Sequence, residues 1–433
     1  MPPTDQPFNP ASMLALVFTG TLVISLITRF WLASRQMRHV ARHSGAVPAA
    51  FAGTVPLESH RKAARYTLTK GSFGLWTMAF SAAVLIGWTL LGGLGLLNDV
   101  LLEAVRPRFG GMAYQLALLT TFTLVGSLLE LPFDLYSTFR IEQAFGFNRI
   151  TWKLYLADAA KGLLLGMLIG LPLAAGMLWI MGSTGALWWL WAWAAWMAFN
   201  LLAMVVYPTL IGPLFNTFKP LTDAAVEARV QALMSKCGFT AKGFFVMDGS
   251  KRSAHGNAYF TGFGAAKRVV FFDTLLAKLS PGEVEAVLAH ELGHFKHKHI
   301  MKRLVSMFAI SLAAFAVLGW LTGQTWFYGA FGVQPGMAAP NDALSLLLFM
   351  LIVPVFGFFV SPLFAGLSRR HEFEADAYAC AHADGRDLAS ALLKLYEDNA
   401  STLTPDPLYA RFYYSHPPAA ERLSAMPSLV TQA

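Results

Sequence analysis

Seven long apolar segments constrain this chain more than any other feature, because each is long enough to cross a lipid bilayer. About 20 mostly apolar residues suffice for a membrane-spanning helix. Only 13% of the 433 residues are charged, whereas an ordinary soluble domain has about 25%. We therefore expect a mainly α integral membrane protein. The predicted spans are 12–32, 72–97, 113–133, 161–182, 186–213, 303–321 and 344–367.

Lysine and arginine are distributed unevenly among the predicted loops, and this bias predicts orientation. Segment 33–71 carries seven of them, whereas the loop between the last two spans carries none. The N-terminus should then lie outside and the C-terminus inside. The net charge of +8 follows from this topology and from attraction to anionic lipid, so no nucleic acid partner is expected.

The spans divide the chain into four predicted regions. Residues 1–213 form an N-terminal membrane region with five spans, and 303–367 hold two further spans. The polar segments 214–302 and 368–433 then share the cytoplasmic side and should together form a catalytic domain.

The polar segment between the fifth and sixth spans predicts a helix followed by a small sheet. Residues 222–238 have apolar positions at helical spacing and end in glycine, a common helix terminator. In "GFFVMDGSKRSAHGNAYFTGFGAAKRVVFFDTLL", short aromatic and β-branched runs alternate with glycine-rich turns. That pattern favours a small antiparallel sheet.

The next stretch, "SPGEVEAVLAHELGHFKHKH", predicts a helix with a well-defined start. Ser280, Pro281 and Glu283 have the residue types of an N-cap, a first helical position and a capping box. The helix should run through His299, and whether it continues into the sixth span is left open. His297 and His299 would then be basic residues at the membrane interface rather than metal ligands.

Two histidines of this helix have the spacing of metal ligands. His290 and His294 are four residues apart, so both imidazoles project from one face and could bind one tetrahedral Zn²⁺. Glu291 is placed to act as the general base, as in zinc metalloproteases. The alternative is a histidine-rich helix end that lies near anionic head groups and binds no metal.

A catalytic zinc needs a third protein ligand, and "SRRHEFEADAYACAHA" after the last span offers one. This helical stretch has Glu372 and Asp376 on one face. Glu372 would complete a His₂Glu set, and Asp376 would accept the free ring N–H of a ligand histidine. Glu374, on another face, and Glu283 or Glu285, on the histidine helix, remain alternative third ligands.

These residues, together with several longer motifs, resemble the type I CAAX prenyl endopeptidases, which are integral-membrane zinc metalloproteases of the gluzincin group. The resemblance extends over most of the chain. The motifs that carry it are "LPFDLYSTFRIEQAFGFNRITWKLYLADAAKG" (131–162), "YPTLIGPLFNTFKPL" (207–221), "GNAYFTGFG" (256–264), "VLAHELGHFKHKH" (287–299), "SRRHEFEADAYA" (368–379) and "DPLYARFYYSHPPAAERL" (406–423).

The resemblance implies seven helices that form a barrel around an intramembrane chamber, closed by a cytoplasmic zincin-like α+β domain. Glu130, an acid within the third predicted span, is compatible with such an interior. The resemblance also implies that His290, His294 and Glu372 bind one Zn²⁺ per chain and that Glu291 is the catalytic base.

Two further residues acquire roles through the resemblance alone. Asn257 would belong to an edge strand that pairs with an extended peptide substrate, a form of β-augmentation. His416 would stabilise the oxyanion or bind substrate. Without the resemblance, Asn257 could equally be a turn residue, and His416 could cap the helix that begins near Pro417 and Pro418.

The expected function is therefore zinc-dependent hydrolysis of peptide bonds in membrane-associated proteins. CAAX-type C-terminal proteolysis of prenylated substrates and membrane-protein quality control are the two forms considered. The C-terminus carries no endoplasmic-reticulum retrieval signal, which favours a bacterial inner membrane over the endoplasmic reticulum. A seven-span transporter or channel with a regulatory metal site is the main alternative, and an inactive scaffold is another.

Overall fold

The computed structural model describes residues 9–239, 243–261, 268–335 and 341–426. Helices dominate these ranges, and single helical turns occur at Asp273–Leu276 and Thr325–Gly329. The longer helices are α1 (Pro10–His43), α2 (Leu57–Trp88), α3 (Gly93–Glu142), α4 (Trp152–Ser183), α5 (Gly185–Phe215), α6 (Ala224–Lys236), α7 (Pro281–Lys296), α8 (His299–Leu321), α9 (Asp342–Gly357), α10 (Ser361–His382), α11 (Gly385–Asp398), α12 (Pro407–Tyr413) and α13 (Ala419–Ala425).

Six of these helices, α1 to α5 and α8, are long and apolar enough to cross a membrane. Helices α9 and α10 supply a seventh crossing if they count as one span, although they bend by 65° at the break between them. The predicted class, a mainly helical membrane protein with about seven spans, is thereby confirmed.

The spans contact one another in a closed order. Each helix from α1 to α4 contacts the next, α5 contacts α8, α8 contacts α9, and α9 returns to α1, while α9 also contacts α3 and α4. A barrel requires such a ring of neighbours. The enclosed chamber that the resemblance implies stays a prediction.

Segment 72–97, predicted as one span, contains the end of α2 and the beginning of α3. Gly92 between them has a φ of 77°, a left-handed conformation that glycine adopts readily. A Cβ on Gly93 would lie 2.6 Å from the Gly87 carbonyl oxygen, so only glycine fits this tight turn. The prediction of one helix is wrong here because the turn is as apolar as the helices beside it.

Segment 344–367, predicted as the last span, crosses the bend between α9 and α10. Pro362 lies in the first turn of α10. It lacks an N–H, and its ring excludes the carbonyl four residues earlier from helical geometry. The chain therefore changes direction after Gly357, and a single straight span is wrong.

The polar region contains a mixed sheet of strands β1 (Phe218–Pro220), β2 (Phe244–Met247), β3 (Ala258–Thr261) and β4 (Arg268–Phe272). The order is β1–β2–β4–β3, with β2 and β4 parallel and the other pairs antiparallel. The predicted antiparallel sheet is thus wrong for one pair, because β4 enters between β2 and β3. In the described sheet β3 lies at one edge.

Helix α7 begins as predicted but ends early. Ser280 Oγ accepts a hydrogen bond from the Glu283 N–H, and the Glu283 carboxylate accepts one from the Ser280 N–H, which completes the capping box. The helix ends at Lys296, Lys298 has a φ of 56°, and α8 begins at His299. The prediction that this helix runs through His299 is therefore wrong. Lysine rarely adopts this left-handed conformation, so its residue type did not indicate the break.

Helix α7 lies at the centre of the polar region. It contacts α6, α10 and α11, and buried side chains such as Val230, Phe271, Leu292 and Leu388 form the core between these helices and the sheet. Burial of each such side chain contributes about 1.5–3 kcal/mol. This packing holds the histidine-bearing face of α7 against α10.

Candidate metal centre and active site

Helices α7 and α10 bring the three predicted ligands together. The Nε2 atoms of His290 and His294 lie 3.2 Å apart. The Glu372 carboxylate oxygens lie 3.5 Å from the first of these nitrogens and 3.4 Å from the second. One ligand atom from each residue lies within 4.8 Å of the other two, so two helices distant in sequence converge on one point.

The donor atoms at this point fit a metal ion. Two imidazole nitrogens and a carboxylate form a set that zinc enzymes use. Glu372 Oε2 is buried, and no described residue donates a hydrogen bond to it. A buried carboxylate is costly unless positive charge or hydrogen bonds compensate it. The nearest guanidinium nitrogen, Nη1 of Arg422, lies 3.7 Å away, beyond hydrogen-bond distance. A cation bound between the three ligands would satisfy this oxygen.

His290 is held in place by a second carboxylate. Its Nδ1 lies 2.8 Å from Asp376 Oδ1, which leaves Nε2 facing the other ligands, as metal-binding histidines require. Burial lowers the pKa of His290, but the neighbouring carboxylates of Asp376 and Glu372 outweigh burial and raise the pKa to about 9. The surrounding carboxylates thus favour positive charge at this position.

Arg422, near the start of α13, is a site residue that sequence reasoning missed. Only 5% exposed, it donates through Nε to Asp376 Oδ2 at 2.8 Å. Burial lowers the pKa of Arg422, but the effect of the Asp376 carboxylate is larger and the net shift is upward. The pair therefore stays ionised. In the sequence, Arg422 is recognisable only as an arginine in a short helix with apolar neighbours. That its side chain is buried is evident only from the fold.

The three alternative acids for the third ligand position are engaged elsewhere. Each pairs with a basic residue: Glu283 with Lys394 at 2.7 Å, Glu285 with Arg229 at 2.8 Å, and Glu374 with His299 at 2.9 Å. Glu372 is the acid that the fold brings to the two histidines.

His299, predicted as a basic residue at the membrane interface, is only 5% exposed and is the first residue of the span α8. The left-handed turn at Lys298 directs its ring towards His294. The two Nδ1 atoms lie 2.9 Å apart. His299 therefore contacts a predicted ligand without belonging to the ligand set.

A cavity of about 410 Å³ lies directly against the three predicted ligands. The predicted base, Glu291, lines this cavity, and so do Asn257 and His416. Apolar side chains form much of the remaining wall, including Leu275, Val287, Leu388, Leu392 and Leu395. The cavity thus combines an acid beside the candidate metal centre with an apolar surface that a peptide side chain could contact.

Asn257 and His416 are exposed residues in the lining of this cavity. Asn257 directly precedes β3, and its Oδ1 accepts a hydrogen bond from the Ala258 N–H at 2.8 Å. His416 has a side chain that is 64% exposed, with Nε2 3.5 Å from Glu372 Oε1. It does not cap a helix, since no side chain caps α13, whose N-cap is Pro418. The functional roles of both residues stay predictions. Residues 262–264 of the motif around Asn257 lie outside the described residues.

The fold joins a candidate His₂Glu metal centre and an adjacent glutamate to a set of apolar, membrane-length helices. This combination is typical of one class of protein, the membrane-embedded metalloproteases. Two family matches agree with this class. Residues 36–217 match the family described as CAAX prenyl protease N-terminal, five membrane helices, and residues 220–430 match peptidase family M48. The chain belongs to peptidase family M48.

Individual relatives are similar over almost their whole length. The CAAX prenyl protease 1 homolog of Arabidopsis thaliana is 34% identical, with 94% of this chain and 96% of the relative covered. CAAX prenyl protease 1 of Saccharomyces cerevisiae is 32% identical, with 95% and 94% covered. The crystal structure of S. mikatae Ste24p superposes with a TM-score of 0.89 at 30% identity and covers 98% of this chain and 100% of that one.

These findings confirm the predicted enzyme class. The chain is a membrane-embedded metalloendopeptidase, and the transporter or channel alternative finds no support. A metal ion is implied by the family, and the donor set described above is the place where it fits.

Proposed function

We propose that this chain is a zinc endopeptidase that cleaves protein substrates near a prenylated C-terminus. The curated relatives are CAAX prenyl proteases by name, which supports this substrate class. One observation carries the peptidase proposal: His290, His294 and Glu372 converge beside a cavity that Glu291 lines, and no described residue donates a hydrogen bond to the buried Glu372 Oε2. His290, His294 and Glu372 would hold one Zn²⁺.

The chemistry divides between the ion and the protein. A bound Zn²⁺ would supply a Lewis acid that polarises the peptide carbonyl and lowers the pKa of water. Glu291 removes a proton from the attacking water and transfers it to the amide nitrogen as the C–N bond breaks. Glu291 ends the cycle ionised, as it began, and no covalent enzyme intermediate is needed.

Three other residues complete the proposed mechanism. His416 donates a hydrogen bond to the carbonyl oxygen as negative charge develops there. Asn257 and the edge of β3 align an extended substrate by strand addition. Asp376 accepts the Nδ1–H of His290, which leaves the Nε2 lone pair free to bind the ion.

We further propose that the catalytic segments 214–302 and 368–433 face the cytoplasm. The excess of lysine and arginine in segment 33–71 supports this orientation. The bacterial inner membrane stays a prediction; the two curated relatives described above come from eukaryotes.

The proposed function is tested with wild type and Glu291→Gln in detergent, on a farnesylated peptide and its unmodified counterpart. We expect Glu291→Gln to keep one zinc per chain while the cleavage rate falls by about 10²–10⁴-fold, the usual contribution of a general base. Glu285→Gln, on the same helix but paired with Arg229 outside the cavity, is the matched control and should retain activity.

Two results would count against the proposal. Normal cleavage by Glu291→Gln would remove the assigned base. Equal cleavage of the two peptides would contradict the prenylated substrate class while leaving the peptidase assignment intact.

A further inference from the structure

The two predicted ligand histidines differ in what holds their rings. His290 contacts the Asp376 carboxylate directly. In His294, the partner of Nδ1 is another imidazole rather than a carboxylate: this Nδ1 lies 2.9 Å from His299 Nδ1. The second nitrogen of His299, Nε2, lies 2.9 Å from Glu374 Oε2. A chain of two hydrogen bonds therefore leads from His294 through His299 to Glu374.

Only one arrangement of protons on these neutral rings is consistent with a metal ligand at His294. Its Nε2 faces the candidate centre, 3.4 Å from Glu372 Oε1, so a neutral ring that binds through Nε2 carries its proton on Nδ1. That N–H is donated to His299 Nδ1, which must be unprotonated. The proton of His299 then lies on Nε2 and is donated to Glu374. Each of these ring nitrogens thus has a partner.

The surroundings of His299 hold its ring in this position. The ring is buried and stacks on His371, with 4.0 Å between ring centroids and 12° between the planes. Arg370 Nε lies 3.3 Å from the other oxygen of Glu374, which keeps that carboxylate in place. Lys298, immediately before His299, has the left-handed φ of 56° that directs the ring towards His294, a conformation that lysine rarely adopts.

We propose that His299 is a positioning residue that keeps the proton of His294 on Nδ1 and fixes the orientation of its ring, while Glu374 orients His299. This inference rests on the proposed function, because it takes His294 as a ligand. His299 touches neither the metal nor the substrate. Its effect appears in metal affinity, and outer partners of ligand histidines typically contribute 10–100-fold to that affinity.

The test measures how tightly zinc-loaded, full-length enzyme retains its ion against increasing chelator. His299→Phe keeps an aromatic ring against His371 but offers no acceptor to His294, so we expect zinc affinity to fall about 10–100-fold. His299→Asn places an acceptor oxygen near the former Nδ1 position and should recover most of that loss. Glu374→Ala removes only the outer acceptor, leaves the His299 ring intact and should weaken zinc several-fold.

Three outcomes would overturn the inference. Wild-type zinc affinity in both His299→Phe and Glu374→Ala is the first. The second is an equal loss in His299→Phe and His299→Asn, since ring packing would then explain the effect. The third is a lower unfolding temperature of metal-free His299→Phe without a change in zinc affinity. If wild type itself retains no zinc, the proposed function fails instead, and Glu372→Ala measured alongside distinguishes the two cases.

Discussion

Gly293 and Ala375 place in close contact the two helices that carry the proposed metal ligands. A Cβ on Gly293 would lie 2.9 Å from the Ala375 Cα and 3.1 Å from its carbonyl oxygen. Gly293 directly precedes His294, and Ala375 directly precedes Asp376. The spacing of α7 and α10 at this point therefore sets the distance between the histidines and the acids.

Gly293→Ala should separate these helices, because a methyl group meets backbone atoms that cannot rotate away. We expect destabilisation of about 1–3 kcal/mol, as for other overpacked positions, together with lower zinc content. Thermal unfolding in detergent and metal analysis measure the two effects. Gly126→Ala is the control, because a Cβ there would meet no atom of the described residues within 4 Å. Similar behaviour of the two variants would show that the close approach is unimportant.

Glu372→Ala should lower zinc occupancy strongly, because it removes the proposed ligand on α10. Glu285→Ala, which removes an acid of α7 that pairs with Arg229, should leave zinc at the wild-type level. Metal analysis of purified protein after equilibration with chelator distinguishes the variants. Unchanged stoichiometry in Glu372→Ala would assign the third position to another acid.

His416→Ala should lower kcat by about 10²–10³-fold, the usual effect of removing one donor to the oxyanion. Zinc content and unfolding temperature should not change, because the side chain is 64% exposed. Steady-state kinetics on one peptide gives kcat and KM separately. A raised KM with normal kcat would instead indicate that His416 binds substrate.

Glu283 predicts a pH dependence of stability. Burial raises the pKa of Glu283, but hydrogen bonds from Lys394, Ser390 and the Ser280 N–H outweigh it, so the net shift is downward. A carboxyl whose pKa is lower in the folded state stabilises the protein above its unfolded pKa of about 4.3. That stabilisation is lost as the pH falls through the folded value.

Wild type should therefore be more stable than Glu283→Gln at pH 7, by about 1–3 kcal/mol for a buried hydrogen bond with a charged partner. The difference should shrink as the pH falls below about 4. Unfolding temperatures measured across this range test the prediction. Glu285→Gln, which breaks an exposed ion pair, should cost less than about 1 kcal/mol at any pH. A difference in stability between wild type and Glu283→Gln that does not change with pH would show that the ionised Glu283 carboxylate is not its cause.

Local patterns in the chain predicted much of this architecture. Apolar stretches of about 20 residues indicated the membrane spans, because lipid requires their apolar composition whatever surrounds them. The capping box at Ser280 was predictable for a similar reason, since its hydrogen bonds join residues three apart. The spacing of His290 and His294 directed two imidazoles to one face.

Departures from regular helix were harder to predict. The turn at Gly92 and the bend before α10 lie within apolar segments, so hydropathy does not distinguish them from the helices they join. Lys298 adopts a conformation that its residue type disfavours, so neither the break in the helix nor the contact between His299 and His294 was predictable from the local pattern.

The sequence by itself therefore determined that the chain spans a membrane and which face of α7 could bind a metal, because both depend on neighbours within a few helical turns. Only the tertiary structure decided which of several acids reaches that face, that Arg422 is buried against Asp376, and that His299 supports His294. The third contact spans only five residues and follows from the left-handed turn at Lys298, whereas the first two join residues up to about 80 positions apart. They depend on how helices pack, and packing is a property of the whole fold rather than of any local pattern.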